Sequence, residues 1–357
     1  MDTYIIAEAG VNHNGDISTA KKLIDIAKNT GANAVKFQTY ISEEVISTYA
    51  PKAEYQISNT GNDESQLEMV KKLELTFEDF KELKMYCEVK NIEFLSTPFD
   101  LPSVDFLLKE LQLKTIKIPS GEITNAPYLL KIAQYKPKII LSTGMSTLAD
   151  IQEALSVIAF GLLGLDKPSI ENFKIAFNSI EGQRMLKKYV TLLHCTTEYP
   201  APIEDVNLRA METMVNAFHL PVGYSDHTEG NTVSIAAVAK GATIIEKHIT
   251  YDKTANGPDH KASSEPEEFS QLVCAIRLVE KAMGHGIKIP SPSEVKNIPI
   301  ARKSIVAKIL IEKGASLTEE NITIKRPGSG ISPMHYWEVQ KFKAGKNFDK
   351  DEEIHLQ

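Results

Sequence analysis

The sequence predicts a (β/α)8 barrel followed by a small separate unit. Three observations carry that prediction. Eight short apolar runs alternate with longer amphipathic stretches over residues 1–285, the pattern of parallel strands joined by crossover helices. Polar and ionisable residues gather at the C-terminal end of these runs, the end at which such barrels do chemistry. The rhythm then stops near Gly284-His285-Gly286, and a Pro/Ser stretch (Pro290-Ser291-Pro292-Ser293) leads into a tail of different character. The chain accordingly divides into a barrel over 1–285, a linker over 286–300 and a small domain over 301–357. A doubly wound open sheet is the competing arrangement, because the same alternation can be laid out flat.

The predicted strands are Tyr4–Ala9, Ala34–Gln38, Ile92–Ser96, Thr115–Ile118, Lys138–Ser142, Val190–Cys195, Pro221–Tyr224 and Ala242–Lys247. Between the first two, Ile17, Ala20, Leu23, Ile24 and Ala27 keep helical spacing, and Gly31 supplies a stop. Thr76 followed by Asp79 is an N-cap pattern opening a helix to Lys90. Further helices are expected over Leu101–Leu111, Pro127–Tyr135, Leu148–Phe160, Thr232–Lys240 and Pro266–Met283. Two segments break the rhythm. Residues 41–75 are polar and turn-rich and follow the second strand, so they read as a lid over the active edge. Residues 161–189, with Gly161, Gly164 and Pro168, read as a surface insertion containing a short helix.

Composition narrows the classes of function. A net charge of -7 over 357 residues leaves no basic stripe for nucleic acid. The three cysteines, Cys87, Cys195 and Cys274, lack metal-type spacing and suit a reducing cytosol. No basic region with a long apolar run opens the chain, and no apolar segment reaches the about 18 residues that span a bilayer. A cytoplasmic protein is expected.

His227 and His248 each follow a strand-like run, and those runs are successive. Neighbouring parallel strands would bring both imidazoles out together, where they can hold a divalent metal with positions open for oxygen ligands. Alternatively, each caps its own strand. Around them Glu8, Lys36, Gln38, Lys117, Glu122, Ser142 and Thr196-Thr197-Glu198-Tyr199 end other strands or follow them. Two lysines, several hydroxyls and glycine-containing turns suit a phosphate. Carboxylates at Glu8 and Glu122 suit a general acid or base, or contacts to sugar hydroxyls. Together with a metal that polarises a carbonyl, the set points to carbon–carbon bond formation between a phosphorylated small molecule and a carbonyl compound.

Ile5-Ile6-Ala7-Glu8-Ala9-Gly10-Val11-Asn12-His13-Asn14-Gly15 resembles the opening signature of the sialic acid (nonulosonate) synthases. Val35-Lys36-Phe37-Gln38-Thr39, Ser96-Thr97-Pro98-Phe99, Lys117-Ile118-Pro119-Ser120-Gly121-Glu122 and Leu141-Ser142-Thr143-Gly144-Met145 continue the likeness. So do Leu193-His194-Cys195-Thr196, Tyr224-Ser225-Asp226-His227, Glu246-Lys247-His248 and Gly257-Pro258-Asp259-His260. Lys325-Arg326-Pro327-Gly328 is similar to part of the family's antifreeze-like (SAF) domain. The resemblance runs in order along nearly the whole chain. It departs at the long 161–189 segment and at Val339-Gln340-Lys341-Phe342, where the family usually has a Leu-Gly-Lys turn.

The resemblance implies condensation of phosphoenolpyruvate with an N-acetylated hexose aldehyde and water, giving a nine-carbon 2-keto acid and phosphate. It implies that His227 and His248 bind manganese or magnesium. Lys36, Lys117, Ser120 and Ser142 would hold the phosphate and carboxylate of phosphoenolpyruvate, with Ser225 nearby and Thr97 among the substrate contacts. Gln38, Glu122, Tyr199 and Asp259 would bind the open-chain sugar, and Glu8 would position or deprotonate the attacking water. Glu8, Lys36, Lys117 and Glu122 form the implied catalytic set. Asn62 would match a lid asparagine. Arg326 would reach the acetamido group across a homodimer with swapped C-terminal domains.

An N-acetylmannosamine-type aldehyde, giving N-acetylneuraminate, is the first reading of the sugar. The second is 2,4-diacetamido-2,4,6-trideoxymannose, giving N,N'-diacetyllegionaminate, because Asn62–Val70 and Thr196–Pro202 resemble the synthases of that sugar. A Schiff-base aldolase, which needs a desolvated lysine, and a non-catalytic sugar-binding protein are the rivals.

Overall fold

The structure is a computed structural model and describes residues 2–51 and 65–356. It divides into two compact units, Met1–Gly284 and His285–Gln357.

The first unit is built on eight parallel strands: β1 (Tyr4–Gly10), β2 (Ala34–Thr39), β3 (Glu93–Pro98), β4 (Thr115–Ile118), β5 (Lys138–Ser142), β6 (Val190–His194), β7 (Val222–Asp226) and β8 (Ile244–His248). Their order is β3-β2-β1-β8-β7-β6-β5-β4. Every hydrogen-bonded neighbour is therefore a neighbour in sequence or the pair β1–β8, and β3 lies against β4 to bring the ends together. A doubly wound sheet would show a switch point, so this order selects the barrel.

Strand alternation sorts the side chains into two apolar layers. Ile5, Ala7, Ala9, Val35 and Phe37 face outward into the large core shared with the helices. Ile6, Ala34, Leu95, Ile140, Leu193 and Ile244 form a separate cluster with Tyr4, the plug of the barrel interior. One step further along each strand the inward residues become Glu8, Lys36, Thr97, Lys117, Ser142, Ser225 and Glu246, all buried. The apolar plug thus floors a polar chamber at the C-terminal mouth.

The helices follow local signals. α1 (Ile17–Asn29) is capped by the Asp16 side chain and buries Ala20, Leu23, Ile24 and Ala27. After β2 come α2 (Ser42–Val45) and α3 (Gln66–Lys71), helices among the described residues of the 41–75 segment. α4 (Phe77–Lys90) opens with a reciprocal Thr76–Asp79 capping box. α5 (Leu101–Asp105) passes into a π-helical turn over Phe106–Glu110. α6 (Ala126–Gln134) and α7 (Leu148–Leu163) follow, α7 ending on Gly164 in the left-handed region.

Residues 161–189 hold more structure than a surface insertion with one short helix. α8 (Ile170–Asn178) and α9 (Ile180–Tyr189) both pack on α7, and α9 runs directly into β6. Ser179 ends one helix and caps the next, and a Cβ on Gly182 would stand 1.9 Å from the Ala176 carbonyl oxygen. The length of the segment is thereby absorbed by the helical layer, away from the strand ends that carry the site.

α10 (Arg209–Phe218) has no counterpart in the sequence reading. Its first residue follows Leu208, which offers no side-chain cap, and the helix is held by burial of Met211, Met214 and Phe218. α11 (Thr232–Ala239) and α12 (Pro266–Met283) complete the layer. Among the described residues no helix is long and apolar enough to cross a membrane.

The second unit contains α13 (Pro292–Val295), α14 (Ile298–Ala301), an antiparallel pair β9 (Ser304–Ala307) and β10 (Ile322–Lys325), and α15 (Tyr336–Val339). Its own small core comprises Ile305, Ala307, Ile311, Leu317, Ile322, Val339, Ala344, Phe348 and Ile354. Pro299 in α14 accepts from the Gly328 amide at 2.7 Å, tying the stretch before β9 into this unit. The turn after α15 closes without glycine because Gln340 keeps a right-handed helical backbone.

Gly223 on β7 faces the barrel plug. A Cβ there would lie 2.5 Å from the Ile244 carbonyl oxygen and 2.7 Å from Leu193 Cδ2. Gly223→Ala should therefore lower the urea stability of the barrel by about 1–3 kcal/mol, the cost of overpacking. An unchanged unfolding midpoint would mean that the plug has room to spare.

Candidate active site

Four ionisable groups meet just above the apolar plug. Lys36 Nζ lies 2.7 Å from Glu8 Oε2 and 3.6 Å from Glu246 Oε2, and donates to Thr97 Oγ1 at 2.9 Å. Lys117 Nζ lies 3.2 Å from Glu246 Oε1, which also accepts from Ser225 Oγ at 2.8 Å. Each of the four is at most 5% exposed. Four strands, β1, β2, β4 and β8, each supply one charge, so the cluster exists only in the closed barrel.

Burial penalises every one of these charges, and the neighbours decide which survive. Burial would raise the proton affinity of Glu246, but Lys117 and Lys36 outweigh it and bring its pKa to about 2. Burial pushes Glu8 up to about 7, against the pull of Lys36 and with a further push from Glu246. Burial also lowers Lys117, and Glu246 only partly restores it. For Lys36, Glu246 and Glu8 together overcome burial and raise it. The chamber holds one firmly ionised carboxylate, one carboxylate poised near neutrality and two unequal lysines.

The two histidines come together as their strand positions imply. Their ring centroids are 5.8 Å apart, with the Tyr199 ring 4.2 Å from His227 and 5.6 Å from His248. His227 Nδ1 donates to the Thr196 carbonyl at 2.6 Å, so its Nε2, 3.3 Å from Ser225 Oγ, carries the lone pair. His248 Nδ1 is buried without a hydrogen-bond partner; Asp259 Oδ2 is 4.0 Å away. Burial lowers His227 to about 4 and presses His248 well down, helped there by His227 and Lys36. Both imidazoles are thus neutral. This donor set fits a divalent ion: two neutral ring nitrogens, one of them orphaned. Among the described residues no cluster of three His, Cys, Asp or Glu is placed to hold a metal. Further ligands would have to be water or substrate oxygens, as in an open catalytic site.

Other predicted residues surround this centre. Ser120 Oγ lies 3.2 Å from Cys195 Sγ and accepts from the Gly144 amide at 3.0 Å. A Cβ on Gly144 would meet Thr197 Oγ1 at 2.3 Å and Ser120 Oγ at 2.9 Å, so this turn needs glycine for close approach. Ser142 ends β5, buried. Gln38 Nε2 donates to Glu8 Oε1 at 3.3 Å. Asp259 sits in the loop after β8, and burial raises its carboxyl to about 6.

Three residues stand apart. Glu122 lies in the turn after β4, only partly buried, and accepts from Asn125 at 2.7 Å. It belongs to the rim and not to the buried charge cluster. Arg326 is exposed in the second unit just after β10, in a loop held by Ser304, whose Oγ donates to Pro327 O and accepts from Gly330 N. Asn62 lies outside the described residues.

The sequence reading gives Glu246 no role, although it is the common partner of both lysines. The missed signal was alternation: Ile244, Glu246 and His248 share one face of β8, so a histidine facing the chamber places Glu246 there too. Cys195, given no role in the site from sequence, touches Ser120.

Comparison with known proteins agrees with this geometry. The NeuB family model matches residues 23–288. The chain is 56% identical over 352 residues to the N,N'-diacetyllegionaminic acid synthase of Campylobacter jejuni, covering 99% of this chain and 98% of that one. It is 46% identical over 333 residues to the protein of the same description from Legionella pneumophila, covering 93% and 88%. Among solved structures it is similar to the N-acetylneuraminic acid (sialic acid) synthetase of Leptospira borgpetersenii, crystallised with citrate. That match has 35% identity, a TM-score of 0.67, and coverage of 84% of this chain and 90% of that chain.

The neutral histidines set a pH dependence. A histidine whose folded pKa lies below its unfolded value stabilises the fold fully above about 6.5, and that contribution is lost as pH falls toward the folded value. His227 and His248 behave in this way, and so does His13, which burial lowers to about 4. Metal-free protein should lose stability to urea between about pH 6.5 and pH 4. His227→Gln/His248→Gln should flatten much of that slope, leaving the part due to His13, His194 and His260, which burial also lowers, and the opposing part due to the raised Glu8 and Asp259 carboxyls. A slope unchanged in the double variant would show that the two rings are not held neutral.

Proposed function

Because the chain belongs to the NeuB family, we propose that it condenses phosphoenolpyruvate with an acylated amino-hexose aldehyde and water, giving a nine-carbon 2-keto acid and phosphate. One observation carries the chemistry: two buried lysines flank a single ionised carboxylate beside two neutral imidazoles. Of the two sugars weighed from sequence, 2,4-diacetamido-2,4,6-trideoxymannose is now the favoured one. The 56% and 46% identities to proteins described as N,N'-diacetyllegionaminic acid synthases support it over N-acetylmannosamine.

Lys117 and Lys36 bind the phosphate and carboxylate of phosphoenolpyruvate, with Ser120, Ser142, Thr97 and the Gly144 turn as further polar contacts. Gln38, Tyr199, Asp259 and, at the rim, Glu122 hold the open-chain sugar. His227 and His248 hold a divalent ion, manganese or magnesium, which when bound supplies Lewis-acid polarisation of the aldehyde oxygen. The C3 electron pair of phosphoenolpyruvate forms the new bond to the aldehyde carbon, whose oxygen takes up the displaced pair and a proton. Positive charge at C2 is met by one water. Glu8 accepts the proton that this water loses, and its affinity near neutrality matches that task. The C2–O bond to phosphate then breaks, the electron pair leaving with phosphate, and loss of the C2 hydroxyl proton gives the ketone. Bulk water must stay out while C2 is cationic. A homodimer in which Arg326 of one subunit covers the other's mouth would serve that exclusion and reach the acetamido group.

The lowered proton affinity of Lys117 also suits a Schiff-base lyase. Borohydride with pyruvate would then inactivate the protein irreversibly, whereas the condensing enzyme is unaffected.

Phosphate release from phosphoenolpyruvate should require the sugar and stop on chelation, returning with manganese. The diacetamido-trideoxy sugar should exceed N-acetylmannosamine in kcat/KM by at least about tenfold, a modest discrimination for two substituents that differ, the C4 acetamido and the missing C6 hydroxyl. Preference for N-acetylmannosamine would refute the sugar assignment, and no release with either would refute the condensation.

Lys117→Ala should raise KM for phosphoenolpyruvate by about 10- to 150-fold, the loss of one charge-assisted contact, and leave the KM for the sugar nearly unchanged. A defect confined to the sugar would place the phosphate elsewhere.

A further inference from the structure

Asp226 and Lys247 have no part in the chemistry described so far. Each directly precedes one of the two imidazoles, and they are register partners across β7 and β8. Alternation sends their side chains outward, opposite to Ser225 and Glu246, and burial leaves them 1% and 2% exposed. There they make a closed network with α11. Lys247 Nζ donates to Asp226 Oδ2 at 3.0 Å and to the Thr228 carbonyl at 2.8 Å. Asp226 Oδ1 accepts from the Thr228 amide at 2.9 Å and the Thr228 hydroxyl at 2.7 Å. Asp226 Oδ2 also accepts from Ser234 Oγ of α11 at 2.5 Å.

The side chain before His248 therefore grips both backbone neighbours of His227. The other outward residues of these two strands, Val222, Tyr224 and Ile245, belong to the large apolar core. A buried ion pair is often no more stabilising than apolar residues of the same size, so stability alone gives no reason for charges here. Geometry gives one. The His227 ring is fixed through Thr196, in the loop after β6, while the network joins the backbone-paired ends of β7 and β8 to the residue after His227 and to α11.

We propose that Asp226 and Lys247 are positioning residues that lock the ends of β7 and β8 together and so fix the separation and orientation of His227 and His248 for a shared divalent ion. The proposal rests on the metal reading of that pair. A site with only two protein ligands depends on their spacing more than a site closed by four, and outer residues that orient ligands commonly govern affinity.

The test uses the full chain. Lys247→Met alone would leave the Asp226 carboxylate buried and unpaired, so the principal variant is Asp226→Asn/Lys247→Met, which removes both charges. Mn(II) is titrated without substrates and the free ion is followed by electron paramagnetic resonance. The double variant should bind Mn(II) about 10- to 100-fold more weakly, while KM for phosphoenolpyruvate moves far less. In metal-free protein labelled with nitrogen-15 histidine, the His227 and His248 ring signals should both move from their parent positions, while His227 keeps the Nδ1–H tautomer that Thr196 fixes.

Lys247→Arg keeps the charge but alters the reach to the two acceptors. It should show the same two effects, smaller in size, and it decides the matter if the double variant does not fold. Folded variants with Mn(II) affinity within about twofold of the parent and an unchanged ring spectrum would overturn the proposal. If the parent chain binds no Mn(II), the metal reading falls instead, and the ring spectra alone decide whether the network positions the histidines.

Discussion

Glu246 lies between two ammonium groups, 3.2 Å from Lys117 and 3.6 Å from Lys36, with almost no water around it. Two lysines could not share this space without it, since burial and mutual repulsion would strip a proton from one of them. Nor would Glu246 stay charged alone, because a solitary buried carboxylate takes up a proton. The three groups hold one another ionised, and Glu8 joins through Lys36 as the fourth and least committed member. Everything else about the chamber serves that balance. The apolar plug below keeps water from entering through the barrel axis, and strand closure supplies the partners from β1, β2, β4 and β8.

The fold was legible because each level of the sequence agrees with the others. β1 alternates an apolar outer face with an inner face running Ile6 to Glu8, and capping pairs such as Thr76–Asp79 mark helix starts where the pattern changes period. The strands so read differ from those observed by at most two residues at an end. α10 escaped although Met211, Met214, Val215 and Phe218 keep the spacing of an amphipathic helix, because no capping side chain marks where it starts. The 161–189 segment was underestimated because two glycines read as loop punctuation belong to a helix: Gly161 lies inside α7, close against Ala133 of α6, and Gly164 is its left-handed stop.

The site was less legible than the fold. The position of His227 and His248 at successive strand ends placed the two rings, and Lys36 inside an apolar run announced a buried cation. Proximity across the barrel is another matter. That Glu246 would meet lysines from β2 and β4 depends on ring closure, which no local pattern encodes. The same holds for Asp226 and Lys247, adjacent only through the register of β7 on β8. Glu122 shows how a turn shifts a residue that the strand pattern places at the edge. A carboxylate just past a strand end looks catalytic in sequence, yet one extra turn carries it to the rim, where Asn125 occupies it.

Charge accounting links this electrostatic balance to the proposed reaction. With Glu246 ionised and Glu8 near half-protonation at neutral pH, the four groups sum to between zero and one positive charge. A phosphate monoester carries roughly -1.5 to -2, and the carboxylate of phosphoenolpyruvate adds another. Its arrival would leave the chamber with a net negative charge in a dry environment, an expensive state. Two corrections are open to this architecture. Glu8 can take up a proton, which would cost it the role of base. A divalent cation at the neutral histidine pair can supply the missing charge and leave Glu8 free to act. The second course would keep both carboxylates in service, and the imidazoles, held neutral by burial, suit it: protonated, they could bind anions but not a metal ion. The unequal carboxylates, one fixed as a counterion and one poised to accept a proton, then follow from where two lysines happen to stand.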